Sequence, residues 1–250
     1  TGVRLNSSVD LIYDYKPQKG EELNVRLSYT DGSRDDNLIF VQDTVLSNDV
    51  KLPSLQYNTG SFGQQNELNV IVDYTKKWNE DSRLEAGAKL ITRDDLDGFN
   101  RTNIDLSTGT ETLDPLSENK FLYEEDILAA YMNYGFKNGP WGFQLGLRAE
   151  QANITATQIT QDSAFQNNYF QVYPSAFVTY EIARGRELNL SYSRRVQRPG
   201  GRQLNPFIDY SDPFNLRQGN PYLLPSFTGS YELGYTQILK KGTTFTANVY

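Results

Sequence analysis

Residues 186–235, RELNLSYSRRVQRPGGRQLNPFIDYSDPFNLRQGNPYLLPSFTGSYELGY, show most clearly the unit from which this chain is built. Near its start Leu188, Leu190 and Tyr192 alternate with polar residues, which is the two-residue period of a strand with one apolar face. A connection of about thirty residues, dense in Pro, Asn, Gly and aromatics, follows this strand. The alternation then restarts at Phe227, Tyr231, Leu233 and Tyr235. The pattern predicts a strand, a long loop and a returning strand.

The same unit recurs along all 250 residues. Ten alternating strands are predicted, joined in turn by short turns and long loops, with no helical period between them. The long loops are predicted at residues 31–66, with a hairpin at 38–46 inside, at 93–120 and at about 150–168. Pro174 lies inside the seventh strand and favours an edge position for it. The predicted strands cover residues 5–15, 23–30, 68–74, 84–90, 127–136, 141–150, 170–182, 188–193 and 227–235, with a tenth after 242.

Composition excludes several classes of protein. The chain has no Cys and no His, so it has neither a disulfide framework nor a thiolate metal site. A formal charge of −7 argues against general binding of nucleic acid, which requires a basic surface. No run approaches the roughly twenty apolar residues of a membrane helix, and no signal peptide opens the chain. The mean hydropathy of −0.60 is compatible with strands of which one face alone meets lipid.

Fourteen residues of the opening stretch also form a recognisable signature. They are Arg195, Arg198, Pro199, Leu204, Asn205, Pro206, Tyr210, Pro213, Gly219, Asn220, Pro221, Pro225, Glu232 and Gly234. The signature is similar to one in the barrel of TonB-dependent outer-membrane receptors, in the outer-membrane β-barrel family related to SusC-type receptors. Ser226 stands where family members usually carry an acid. Residues 121–150 resemble an internal barrel hairpin of the same family.

The resemblance implies an all-β fold, an antiparallel up-and-down transmembrane β-barrel. Family barrels use about twenty-two strands around a plug, so residues 1–250 are predicted to be a single barrel region without the plug domain. Either the ten strands close into a smaller barrel or neighbouring sequence completes the wall. The implied location is the bacterial outer membrane, with the short turns facing the periplasm and the long loops facing outward.

The resemblance also implies a function, which is energised uptake of a nutrient. The implied partners are outer-membrane lipid, a small nutrient ligand of unknown type, TonB acting through a plug absent from this chain, and a surface lipoprotein. A non-transporting outer-membrane or surface β-protein, such as an adhesin, is the alternative. A soluble all-β module would need its apolar faces packed against each other.

The loop after residue 197 carries the candidate ligand-binding residues. Its arginines, with Asp209 and Asp212, could bind an anionic or carboxylate-bearing ligand, or could lock the loop while Arg195 pairs with acids on the lumen wall. Its aromatics could stack on a flat ligand, pack the loop or form an interfacial girdle. The residues predicted to contact ligand are Arg198, Arg202, Asn205, Phe207, Tyr210, Asn220 and Tyr222.

No catalytic, metal or cofactor site is predicted. The run 94–98, DDLDG, offers oxygen ligands but lacks the spacing of an EF-hand, so a solvated acidic loop is the preferred interpretation. The acids of residues 124–126 alternate across a strand and form no acid and base pair. Without His, or a G-x-S-x-G sequence, an enzyme is not expected.

Overall fold

The structure is a computed structural model that describes residues 2–43, 45, 46, 49, 51, 54–209, 215–239 and 242–250. Most of this described chain is strand, and the predicted all-β class is confirmed. In chain order the strands are β1 (Gly2–Tyr15), β2 (Glu21–Gln42), β3 (Leu55–Lys77), β4 (Ser82–Ile104), β5 (Glu111–Leu113), β6 (Asn119–Asn138), β7 (Trp141–Gln158), β8 (Ser163–Ala183), β9 (Arg186–Gln197), β10 (Ile208–Asp209), β11 (Arg217–Gln218), β12 (Ser226–Ile238) and β13 (Thr244–Val249).

Ten of these strands form an antiparallel meander in the order β1-β2-β3-β4-β6-β7-β8-β9-β12-β13, and the short β5 joins the same sheet by pairing with β4. The strand count and the up-and-down order agree with the prediction. In the described part of the chain β1 pairs with β2 alone and β13 with β12 alone, so the sheet is open and does not close into a ten-stranded barrel. The Lys240-Lys241 end of the predicted last turn lies outside the described residues.

The described residues include two short helical segments, a 3₁₀ turn at Pro115–Ser117 and α1 at Gly201–Leu204. Neither helix in the described residues is long and apolar enough to cross a bilayer.

Three predicted long loops are wrong in extent, because the strands continue into them. β2 and β3 pair without a break from Glu21↔Lys76 to Gln42↔Leu55, so most of the predicted loop 31–66, including the start of its supposed hairpin, is strand. β4 likewise runs to Ile104, and only residues 159–162 separate β7 from β8. In β2, for example, residues 30–37 are polar on both faces, so the hydrophobic alternation ends there while the backbone ladder continues.

Pro174 does not place β8 at an edge, since β8 lies between β7 and β9. Proline has no backbone N–H to give to a ladder. The β8–β9 ladder begins at the next residue, Ser175, paired with Ser193, while β7 pairs across Pro174 through Leu147. The proline is therefore accommodated where pairing to one neighbour ends.

One face of the sheet, here called the outer face, carries an exposed apolar band next to the short turns. Leu145 and Leu147 on β7 are 55% and 53% exposed, and Leu128 and Met132 on β6 are similarly exposed. On each of these strands the band spans about nine residues, close to the length that a tilted strand needs to cross a bilayer. So large an apolar face is not found on soluble monomers, and lipid is the medium that covers it.

Aromatic rings border this band at the short-turn end. Tyr134 contacts Phe136, with centroids 5.7 Å apart, and Phe136 contacts Phe143 at 5.0 Å. The row extends at both ends, to Trp78 beside Tyr134 and to Trp141 and Tyr180 beyond Phe143. Such rings are amphipathic and occupy the membrane interface, so this row is an aromatic girdle.

The opposite, inner face is polar where the outer face is apolar. Tyr131 of β6 donates a hydrogen bond to Asp73 of β3 across the intervening strand β4. Further along, Arg93 donates to Glu67 at 2.9 and 2.5 Å and approaches Glu125 at 3.5 Å. Alternation of an apolar outer face with a polar inner face is the arrangement of a barrel wall around an aqueous lumen.

Candidate ligand-binding site

The loop between β9 and β12 folds onto the inner face of the sheet. Leu204 at the end of α1 is 4% exposed and packs against a cluster formed by the inner residues of β6 and β7. The α1 turn begins after Gly200, whose N–H donates to the Gln203 side chain at 3.1 Å. The cluster consists of Phe121, Tyr123, Ile154, Ala156 and Leu204, with Phe165 and Tyr169 packed around it.

Arg198 fixes the start of this loop to the sheet. Its guanidinium donates to the Glu150 carboxylate, which also accepts from Arg148, and its Nε donates to the Tyr169 hydroxyl at 2.7 Å. The side chains of Arg198 and Glu150 are 18% and 7% exposed. Burial raises the pKa of Tyr169, beyond the apolar band, so this hydroxyl stays neutral. A buried pair with extra hydrogen bonds is costly to break, and it holds the loop inward.

The two arms of the loop are tied together by backbone hydrogen bonds. The Gly219 N–H donates to Asn205 O at 2.9 Å, and the Asn220 N–H donates to Gln203 O at 2.8 Å. A Cβ at Gly219 would lie 2.6 Å from both carbonyl oxygens, so this approach requires glycine. Beyond it β10 and β11 pair through Ile208↔Gln218 and Asp209↔Arg217.

A cavity of about 620 Å³ lies between this loop and the inner faces of β2, β3, β4 and β6. Its volume is that of a typical small-molecule site. The residues that the sheet contributes include Arg34, Asp36, Leu38, Phe40, Thr59, Ser61, Asp97, Phe99, Asn119 and Phe121. The loop contributes Arg202, Gln203, Asn205, Phe207, Asp209, Arg217, Gln218, Gly219, Asn220 and Leu223.

The charged residues on the sheet side of the cavity are paired with each other. Arg34 lies 3.6 Å from Asp36 and 3.5 Å from Asp97, and Arg4 lies 3.9 Å from Asp36. These pairs are partly exposed, and each contributes about 1 kcal/mol or less. Arg34 thus pairs with both lining acids, and the sheet side of the cavity keeps one net negative charge.

The aromatic residues on the sheet side are also fixed by neighbours. The Phe40 ring stacks on Tyr57 with centroids 5.0 Å apart, and the Arg101 guanidinium lies 4.0 Å from the Tyr57 centroid. Stacking of this kind restricts ring rotation. Phe40 therefore presents a fixed apolar surface to the cavity.

Four of the seven residues predicted to contact ligand are brought together here. Arg202, Asn205, Phe207 and Asn220 all line the cavity. Tyr210, like Asp212, lies outside the described residues. The remaining two, Arg198 and Tyr222, lie elsewhere, and their contact with ligand stays a prediction.

Arg198 and Tyr222 instead attach the loop to the sheet. The Tyr222 ring is 76% exposed and meets Phe165 edge to face at 5.4 Å. The loop-locking role considered for the arginines fits Arg198. It does not fit Arg195, which forms no ion pair with any described residue, so the expected pairing of Arg195 with the wall is wrong. Phe227 packs on Tyr173 and under Arg194, which is the packing role considered for the loop aromatics.

The cavity residues contributed by the sheet were missed by sequence reasoning. Arg34, Asp36 and Phe40 fall in the segment predicted as a long loop, although their spacing of two and four already places them on one strand face. Asp97 and Phe99 were missed because residues 93–120 were predicted to be a long loop, with an acidic run at 94–98.

Residues 94–98 lie within β4, so the expected solvated loop is wrong. Asp95 and Asp97 face inward and Asp94 outward, and no cluster of three metal-ligating acids occurs among the described residues. Asp95 pairs with Tyr123 of β6, beyond the apolar band that ends at Leu90. Burial raises the pKa of Asp95, and burial followed by the nearby Glu125 raises the pKa of Tyr123.

The apolar outer band and polar inner wall together define the wall of an outer-membrane β-barrel, and the inward-folded loop leaves a cavity against this wall. Residues 16–250 match the Outer membrane protein beta-barrel family, and the chain belongs to it. The family assignment confirms the predicted fold and the predicted location in the bacterial outer membrane. A comparison with curated protein sequences gives no match.

Solved outer-membrane receptors have the same fold. The siderophore receptor PiuA from Acinetobacter baumannii has a TM-score of 0.70 at 13% identity, over 98% of this chain and 39% of PiuA. The ferric-catecholate import receptor Fiu from K12 E. coli has a TM-score of 0.62 at 9% identity, over 99% of this chain and 40% of Fiu. The ferric citrate transporter FecA has a TM-score of 0.61 at 15% identity, over 94% of this chain and 32% of FecA. The chain thus spans about a third to two fifths of these receptors.

Proposed function

We propose that this chain is part of the barrel of a TonB-dependent receptor that takes up a nutrient across the bacterial outer membrane. The observation that carries the proposal is the inward-folded loop, whose attachment through Arg198 and Leu204 leaves a cavity of about 620 Å³ against the barrel wall. A loop that both covers the lumen and lines a cavity can bind a ligand at the entrance of a transport path.

The fold shared with solved receptors supports this proposal. PiuA and Fiu are named as a siderophore receptor and a ferric-catecholate import receptor. Coupling to TonB through a plug, and a surface lipoprotein partner of the SusC type, are further parts of the proposal. The role is binding and passage of a ligand rather than catalysis, since the sequence offers no nucleophile and base pair.

Growth of the host bacterium on single nutrients tests the proposal. The strains are wild type, one lacking the receptor, one lacking TonB, and one in which residues 201–220 of the full-length receptor are replaced by a short Gly-Ser linker. We expect one nutrient on which all three altered strains grow poorly while the shortened receptor still reaches the outer membrane.

The alternative predicts a different outcome. A non-transporting surface protein would leave growth unchanged on every nutrient and reduce attachment to surfaces when the receptor is removed. That result would replace the transport proposal.

A further inference from the structure

The two sides of the ligand cavity differ in charge. On the sheet side the charged lining residues are Arg34, Asp36 and Asp97, an excess of one negative charge. On the loop side Arg202 and Arg217 stand with Asp209, and the excess is one positive charge among the described lining residues. The cavity therefore has a negative wall and a positive loop.

The two loop arginines are available for a ligand. Within the described part of the chain neither Arg202 nor Arg217 forms an ion pair, although Arg217 lies opposite Asp209 in the β10–β11 ladder. Both residues are exposed at the cavity. The backbone bonds that join the two loop arms hold these residues in place without involving either guanidinium. A guanidinium with free N–H groups is a strong, planar donor for an oxyanion.

Apolar surface lies beside this charge. Phe99 and Phe207 line the same cavity from the sheet and from the loop, and Leu223 adds an aliphatic side chain. Rings on both sides of a half-enclosed space favour a flat apolar body over a small hydrated ion. An inorganic anion would leave these surfaces in contact with water.

We propose that the cavity binds an organic anion in which a carboxylate is carried on a planar apolar body. The carboxylate accepts hydrogen bonds from Arg202 and Arg217, and the apolar body lies between Phe99 and Phe207. The inference names the ligand class of the proposed receptor and rests on that proposed function.

Calorimetric titration of the full-length receptor in detergent micelles tests this ligand class. The probes are 4-bromobenzoate, its neutral analogue 4-bromobenzamide, and inorganic phosphate. The variants are Arg202→Gln and Arg217→Gln. Arg186→Gln, at a short turn far from the cavity, is the matched control. Heat modifiability on gels verifies that each variant is folded.

We expect 4-bromobenzoate to bind more tightly than either other probe. Each cavity variant should weaken benzoate binding by about tenfold or more, the effect of losing a charge-assisted hydrogen bond, and the control should bind as wild type does. Equal binding of the amide, unchanged binding by both cavity variants, or no binding of benzoate would overturn the proposal. Phosphate binding as tight as benzoate binding would overturn the apolar part of it.

The growth test separates this inference from the proposed function. TonB-dependent growth together with a failed titration would show that the receptor transports another class of ligand. A successful titration without TonB-dependent growth would show a binding site in a protein that does not transport.

Discussion

Arg198 shows at the scale of single residues how a loop becomes part of a barrel wall. Its guanidinium joins β7 and β8 through Glu150 and Tyr169, and Pro199 beside it is buried. The chain then turns inward and places Leu204 in the cluster above the lumen. Because the contact is buried, its hydrogen bonds are protected from competition with water.

Replacing Arg198 with Ala should release the loop. The expected cost is about 2 kcal/mol, since Glu150 loses one charged hydrogen bond but keeps Arg148. Hydrogen exchange at α1 should become correspondingly faster in the full-length receptor. Arg195→Ala, which removes an exposed arginine without an ion pair among the described residues, is the control and should leave the exchange of α1 unchanged. Equal protection of α1 in both variants would contradict the anchoring role.

Asp95 gives a pH-dependent prediction. Burial raises the pKa of this carboxyl above its value in the unfolded chain, so the folded state favours the protonated form. Its contribution to stability is therefore present in acid and is lost as pH rises through the unfolded and then the folded pKa. Asp95→Asn should therefore raise the free energy of unfolding of the barrel at neutral pH and leave it unchanged in acid.

Denaturant unfolding at both pH values measures this difference. Asp94→Asn, on the exposed outer position of the same strand, is the matched control and should show little change at either pH. If Asp95→Asn raises the free energy of unfolding as much at acid pH as at neutral pH, ionisation of Asp95 is not the cause of the stabilisation.

At the scale of elements, strand type was predictable and strand length was not. Near the short turns one face meets lipid, so alternation of apolar and polar residues is strict and reveals the strands. In β2 residues 30–37 are polar on both faces, and the pattern of this segment is indistinguishable from that of a loop. Backbone pairing with β3 continues regardless to Gln42, because it does not depend on side-chain type.

The apolar band on β7 gives a prediction for this scale. Leu145→Arg places a charge near the middle of the band and should destabilise the barrel by about 2–4 kcal/mol in lipid. Gln144→Arg, one residue away on the inner face, is the control and should cost much less. Unfolding of the full-length receptor from lipid vesicles by urea compares the two. Similar losses in the free energy of unfolding for both variants would contradict the assignment of Leu145 to the outer face and Gln144 to the inner face.

At the scale of the whole molecule, the open sheet and its exposed band determine behaviour in solution. The 250-residue chain should be monodisperse only in detergent or lipid, because no other part of the described sheet covers the outer face. In addition β1 and β13 present unpaired edges. Size-exclusion chromatography with and without detergent is the measurement. A monodisperse chain in plain buffer would mean that the apolar faces are buried against each other instead.

The sequence by itself determined the strand order, the membrane-facing residues and the loop that carries the site. Two local signals carry this information, namely apolar and polar residues alternating with period two and glycine- and proline-rich breaks between strands. The alternation is clearest in a strand that meets lipid on one face alone. The tertiary structure decided which loop residues share a cavity and which sheet residues complete it. Arg34 and Asp97 are far from Arg202 along the chain and line the same cavity only because four paired strands and an anchored loop bring these segments together. No local pattern carries that information, since such proximity depends on register and loop docking over the whole sheet.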